Sequence, residues 1–137
     1  MRHRKDHRKL GRKIGPRIAL MRSLTRSLIL YGRIKTTVAK AKEARRYAER
    51  LVTIAKKGVG DDPIKRVNAI RRALSILPDK PVIKKLFDVV VPLLEDRNGG
   101  YTRIVHLPTP RLGDKAEQAF LEFVVPIPRT KESGEVE

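Results

Sequence analysis

RIKTTVAKAKEARRYAERLVTIAKKG, residues 33–58, constrains how the rest of the chain can be arranged. RIKTT, residues 33–37, concentrates β-branched side chains that favour a pleated surface, and reads as a short strand. Thr36 or Thr37 can cap a following helix. From Val38 to Lys57 the apolar positions Ala41, Ala44, Ala48, Leu51 and Ala55 recur at helical spacing, with Val52 and Ile54 beside them, and Gly58 marks the end. Four small alanines in that stripe predict close packing against neighbours. Lys40, Lys42, Arg45, Arg46 and Arg50 fall on the other faces. Glu43 and Glu49 are placed for i,i+3 pairing with neighbouring arginines, worth tenths of a kcal/mol each. A strand that runs straight into a helix must find its pairing partner elsewhere in the chain.

Working back from residue 33, a helix is expected from Pro16 to Gly32, since proline suits a first turn and glycine a stop. Leu20, Leu24, Leu28 and Tyr31 form its inward stripe, widened by Ile18 and Met21, with Tyr31 at the edge of the core. Before it lies MRHRKDHRKLGRKIGPR, residues 1–17, with eight Lys or Arg against the single acid Asp6. Leu10 and Ile14 are its sizeable apolar residues past Met1. Such a segment buries too little hydrocarbon to offset the entropy of ordering, so alone it should be unstructured and should order against a polyanion. Arg2, Arg4, Lys5, Arg8, Lys9, Arg12, Lys13 and Arg17 are therefore candidate nucleic-acid contacts.

Working forward, Asp61 or Asp62 before Pro63 starts a third helix, with Ile64, Val67, Ile70, Ala73 or Leu74, and Leu77 facing inward. Pro78 and Asp79 end it and begin a fourth, which carries Val82, Ile83, Leu86, Phe87 and Val90 and is bent or ended by Pro92. Leu93 and Leu94 are expected on the core. RNGG, residues 97–100, is a turn. YTRIVHL, residues 101–107, and AFLEFVV, residues 119–125, are strands. In the second, Phe120 and Glu122 point one way, and Leu121 and Phe123 the other. The order α-β-α-α-α-β-β predicts an α+β, two-layer fold with helices on one face of a small three-stranded sheet. Its last two strands form a hairpin that the first joins across the helices. The expected division is a basic arm, 1–15, one domain, 16–125, and an extended tail, 126–137.

The 137 residues carry a net charge of +17, which favours a polyanionic partner that relieves self-repulsion. A membrane surface is the weaker alternative, because there is no Trp and the arm lacks an apolar face. The longest apolar run, FDVVVPLL, is too short to span a bilayer. With no Cys there is no disulfide framework, and a reducing, interior location is expected. His3 and His7 stand at i,i+4 but among cations that oppose a bound metal, and no paired acid–base set suggests catalysis. No cofactor, metal or small-molecule substrate is expected, and no enzymatic activity. Zinc-finger, basic-zipper, RRM and KH signatures are missing, while the charge is spread over many elements. That distribution suits a large folded RNA bound by shape and phosphate contacts. The alternative is a free basic nucleic-acid-binding protein, nucleoid-associated or regulatory.

MRHRK at the start, IKTTVAKAKEARR at 34–46, KLF at 85–87, GGYTRI at 99–104 and RLGD at 111–114 occur in that order. This pattern resembles the bacterial large-subunit ribosomal protein L-seventeen family, over about residues 1–125. The resemblance implies the same α-β-α-α-α-β-β fold and a non-enzymatic component of the large subunit that binds 23S ribosomal RNA. It also implies contact with neighbouring large-subunit proteins and a cytoplasmic location on the ribosome. Within the matching motifs it implies RNA contacts at or near Arg2, His3, Arg4, Lys5, Lys35, Lys40, Lys42, Tyr101, Arg103 and Arg111. A structural role for Tyr101 and the two glycines before it is equally compatible. The chain departs from the pattern at Gly15-Pro16-Arg17, where a polar residue and a histidine are expected before the arginine. Leu93 stands where an arginine commonly follows the proline, and the tail beyond Val125 exceeds the usual end.

Overall fold

A computed structural model describes residue 3 and residues 5–130. Helix α1, Ile14–Tyr31, leads through Gly32 into strand β1, Arg33–Thr37, and directly into helix α2, Val38–Lys56. Helix α3 is Pro63–Ile76. Helix α4, Lys80–Lys85, continues through a π-helical stretch, Leu86–Val90, to a last turn, Val91–Leu93. Strands β2, Thr102–His106, and β3, Gln118–Phe123, follow. The sheet order is β1-β3-β2, with both pairings antiparallel, so the last strand is central. This is the small α+β fold expected from the sequence. The helices share one side of the sheet, where Ala119, Leu121 and Phe123 are buried.

Helix α2 is the spine. Ala41, Ala44, Ala48, Leu51, Val52, Ile54 and Ala55 are buried along it, as the periodicity predicts. Thr37 occupies its N-cap position, but the hydroxyl makes no capping hydrogen bond. Asp62 and Asp79 do cap their helices, accepting from the Ile64 and Val82 amides. Gly58 serves close approach rather than a left-handed stop: a Cβ there would lie 2.7 Å from the Ala69 Cβ and 3.2 Å from the Phe87 ring. Gly32 is the left-handed cap, at φ 75°, and its amide donates to the Leu28 carbonyl.

Two stripes are turned from their expected orientation, while the fourth helix buries Val82, Ile83, Leu86, Phe87 and Val90 as expected. In α1 the buried positions are Met21, Thr25, Leu28 and Ile29, while Ile18 and Tyr31 are exposed and Leu20 and Leu24 half-buried. The helix begins at Ile14, which leaves the absent N–H of Pro16 among the first-turn donors that need no partner. In α3 the Gly58–Ala69 approach turns Ala69 and Ala73 inward and leaves Ile64 69% exposed, with Val67 also exposed. Arg66 takes the place of an apolar residue on that face, its guanidinium 5.7 Å from the Phe87 ring centre and paired with Asp88. Leu94 is buried, but Leu93 points to solvent. Pro92 cannot donate, and its ring would crowd the carbonyl four residues back. The wider π turn, with the Val91 amide donating to the Leu86 carbonyl, absorbs that conflict.

The chain stays on the body past β3. The Phe123 amide donates to the Gly32 carbonyl, the Thr130 amide to the Leu30 carbonyl, and Ile127 is buried against Gly32. Buried Lys85 completes this clasp: its Nζ donates to the carbonyls of Leu30, 2.7 Å, and Pro128, 2.5 Å, and to Thr130 Oγ1, 2.8 Å. Residues 131–137, with the acidic end of the tail, lie outside the described residues.

Candidate nucleic-acid interface

The arm from Lys5 onward lies against the first half of α2, rather than standing free as its composition predicts. The Arg46 guanidinium donates to the Asp6 carboxylate, 2.9 Å, and to the Asp6 carbonyl, 3.0 Å. Arg8 reaches Glu43 at 3.9 Å. Leu10, half-buried, packs on the core near Met21 and Tyr47 and is held by two left-handed residues, Leu10 at φ 54° and Gly11 at φ 65°. The arm's one acid and one central leucine supply the anchors that a net-charge reading overlooks.

Arm, α2 and β2 enclose an open groove lined by Arg8, Lys42, Arg45, Arg46, Arg103 and His106, with Asp6, Glu43 and Glu49 among them. The strand–helix junction produces it. β1 delivers α2 across the sheet, and the basic side of α2 then faces the edge strand β2. Glu49 holds that edge in place. Its Oε1 accepts from the Thr102 hydroxyl, 2.8 Å, and the Thr102 amide, 3.3 Å, and also from Arg45 Nε, 3.4 Å.

Around the β2 edge the basic surface continues onto the outer face of the sheet. The register sets Arg33 and Arg103 on either side of Glu122, and Lys35 and Val105 on either side of Phe120. Directly opposed residues share a face, so these six stand together, away from the helices. Arg103 Nε donates to Glu122 Oε1 at 2.7 Å, and Arg33 Nε lies 3.3 Å from Oε2. The Arg33 guanidinium also lies 3.6 Å from the Phe120 ring centre.

In the pairs of Glu43 and Glu122 the carboxylate sits behind the cation. The Glu122 side chain is 15% exposed against 59% for Arg103, and the Glu43 side chain 12% against 47% for Arg8. The carboxylates orient the guanidinium groups, yet an approaching polyanion meets the guanidinium groups first. Among the described residues no group of three or more His, Cys, Asp or Glu could hold a metal ion, and no helix is long and apolar enough to cross a membrane.

The candidate residues fall into distinct places. Arg2 and Arg4 lie outside the described residues. His3, Lys5, Arg8, Lys9, Arg12 and Lys13 are exposed along the arm, and Arg17 is half-buried beside Ile18 and Tyr47. Lys42 and Arg103 meet in the groove, Lys40 is half-buried near the start of α2, and Lys35 stands on the outer sheet face. Tyr101 is 4% exposed, with Lys56 Nζ 5.1 Å from its ring centre, so its ring belongs to the core and offers no face to RNA. Arg111 is exposed but pairs within its own loop with Asp114; that hydrogen bond, with the Ala116 amide, lowers the Asp114 carboxyl to about 2. Sequence reasoning missed Arg33, Phe120 and Glu122 as a cluster. The signal was present in the inside–outside alternation of β3, but the partner strand was needed to assemble it.

The recessed Glu43 and Glu122 carboxylates behind projecting arginines, beside a groove lined by cations, mark a basic α+β protein. The chain belongs to the ribosomal protein L17 family, whose model, described as Ribosomal protein L17, matches residues 20–124. It is 52% identical over 124 residues to the large ribosomal subunit protein bL17 of Hydrogenobaculum sp. (strain Y04AAS1), covering 90% of this chain and 99% of that relative. It is 47% identical over 137 residues to the bL17 of Thermodesulfovibrio yellowstonii, covering 100% of this chain and 97% of the relative. With the bL17 of Rubrobacter xylanophilus the identity is 53% over 97 residues, 71% of this chain and 74% of the relative.

Proposed function

We propose that this protein is a structural, non-catalytic component of the large ribosomal subunit that binds 23S ribosomal RNA through the arm–α2–β2 groove and the adjoining sheet face. The observation that carries the reading is the groove in which Arg8, Lys42, Arg45, Arg46 and Arg103 converge from three elements, in a chain of a ribosomal protein family. Cations drawn from separate elements suit a folded RNA whose backbones approach from several directions, with phosphate contacts fixing position rather than reading sequence. In this reading residues 1–15 are the arm that grips RNA, and residues 16–125 form the domain that places it. The relatives' printed names, large ribosomal subunit protein bL17, support the same assembly; in this reading the protein sits on the cytoplasmic ribosome beside other large-subunit proteins.

The test is cosedimentation with large subunits in moderately high salt, followed by hydroxyl-radical footprinting of the RNA. Retention in the large-subunit peak, with protection confined to discrete segments of 23S RNA, is the expected result. Release into the free fraction, with equal affinity for duplex DNA and RNA, would replace this reading with that of a free nucleoid-type protein.

A further inference from the structure

The outer sheet face carries a feature that phosphate binding does not require. Phe120 is one of three phenylalanines, and the other two, Phe87 and Phe123, are buried in the core. Phe120 instead stands on the solvent side of the central strand, opposite Lys35 and Val105. Its ring is capped by Arg33 at 3.6 Å, and the Arg33 side chain is itself 46% exposed. Arg33 is therefore held from below by an aromatic ring and from the side by Glu122, at 3.3 Å from Nε. A surface arginine normally samples many rotamers; contacts on two sides restrict this one before any ligand arrives.

We propose that the exposed face of the Arg33 guanidinium, backed by Phe120, is a stacking site for an unpaired RNA base, whose flanking phosphates are met by Lys35 and Arg103. This rests on the RNA-binding reading and names the kind of RNA element the sheet face takes. A guanidinium stacks on a base as it does on an aromatic ring, through a planar and weakly hydrated face. A base inside a helix already has both faces stacked, so the site selects loops, bulges and ends. Stacking is tolerant of base identity, because every base has a π-face. Val105, 40% exposed beside Phe120, extends the apolar floor on which the base edge rests. On the other side Arg103 donates to Glu122 through Nε and, among the described residues, makes no further side-chain hydrogen bond. Its terminal nitrogens can thus turn to phosphate.

The test uses the full-length protein, a stem-loop RNA with 2-aminopurine in its loop, and the same stem continued as an uninterrupted duplex. Arg33→Lys keeps the charge and removes the plane; Phe120→Leu keeps apolar bulk and removes the ring. Wild-type protein should quench 2-aminopurine fluorescence on binding. Arg33→Lys should abolish the quench and weaken stem-loop binding roughly tenfold, with duplex affinity nearly unchanged. Phe120→Leu should act in the same direction, and if it unfolds, Arg33→Lys alone decides. An equal loss on stem-loop and duplex would overturn the proposal, reducing Arg33 to a phosphate contact. So would stem-loop binding that neither variant alters, which leaves RNA binding itself standing. Wild-type protein that binds neither RNA would overturn the RNA-binding reading together with this one.

Discussion

Lys85→Met should loosen the C-terminal clasp and destabilise the protein by about 1–3 kcal/mol at neutral pH. Lys85 is 6% exposed and faces two carbonyls and a hydroxyl, with no carboxylate among its partners. Methionine matches its length and relieves the cost of burying a charge, which alone would stabilise. Against that, the Pro128 carbonyl and the Thr130 hydroxyl each lose a charge-assisted bond. The Leu30 carbonyl keeps only the Thr130 amide, at 2.9 Å. Loss of two to three such bonds outweighs the desolvation relief, and melting should fall by about 3–5 °C per kcal/mol. A local readout accompanies the global one: the Thr130 amide, bonded to Leu30, should exchange faster in the variant. The pH dependence has a definite sign. Burial lowers the Lys85 pKa below its usual value, so between the lowered value and about 10.4 the unfolded chain holds more protons than the folded one. Wild-type stability relative to Lys85→Met should therefore rise with pH across that window. Equal melting temperatures at neutral pH, with unchanged Thr130 exchange, would refute the clasp.

Leu51→Ala, at a fully buried position of α2, should cost about 2–5 kcal/mol by thermal or urea melting, whereas Lys42→Ala should leave the melt unchanged and weaken RNA binding in a filter assay. Gly58→Ala should destabilise measurably in the same melts, since the new methyl would meet Ala69 at 2.7 Å. Thr25→Val should be neutral or stabilising by about 1 kcal/mol, because the buried Thr25 hydroxyl has no hydrogen-bond partner among the described residues. Deleting residues 2–13 should lower RNA affinity and flatten its dependence on salt, since seven Lys or Arg are removed, and circular dichroism should show the body still folded.

What could be read from the sequence, and what could not, divides along local against relational information. The α2 stripe was legible because each of its positions depends only on helical spacing, and the alternation in β3 because it depends only on the pleat. The positions of Ile64, Val67 and Leu93 were not legible. Whether an apolar residue faces inward depends on how close two helices come, and here the Gly58–Ala69 approach sets the rotation of α3. Lys85 belongs to the recognised KLF motif, yet nothing in a lysine between two apolar stretches shows that it is buried. Its partners lie 43–55 residues away. The basic arm announced itself through composition, but composition did not show where it rests, because Asp6 and Leu10 make its contacts.

The distribution of the few acids connects the fold to the proposed site. A chain with this charge would repel itself if its carboxylates were scattered at random over the surface. Instead six of the twelve acids among the described residues sit where segments meet. Asp6 and Glu43 join the arm to α2, Glu49 joins α2 to β2, Asp79 joins α4 to Arg26 of α1, and Asp88 joins the π turn to α3. Glu122 of the central strand joins arginines from both neighbours. Each such pair lowers self-repulsion at a junction, and in the pairs of Glu43, Asp79 and Glu122 the carboxylate is the more buried partner. Phosphate can then approach the outward side of the same arginines without displacing the carboxylate that aims them. In the proposed RNA-binding reading, the acids that hold the free protein together also aim its cations, so folding and binding would draw on one set of side chains rather than competing for it.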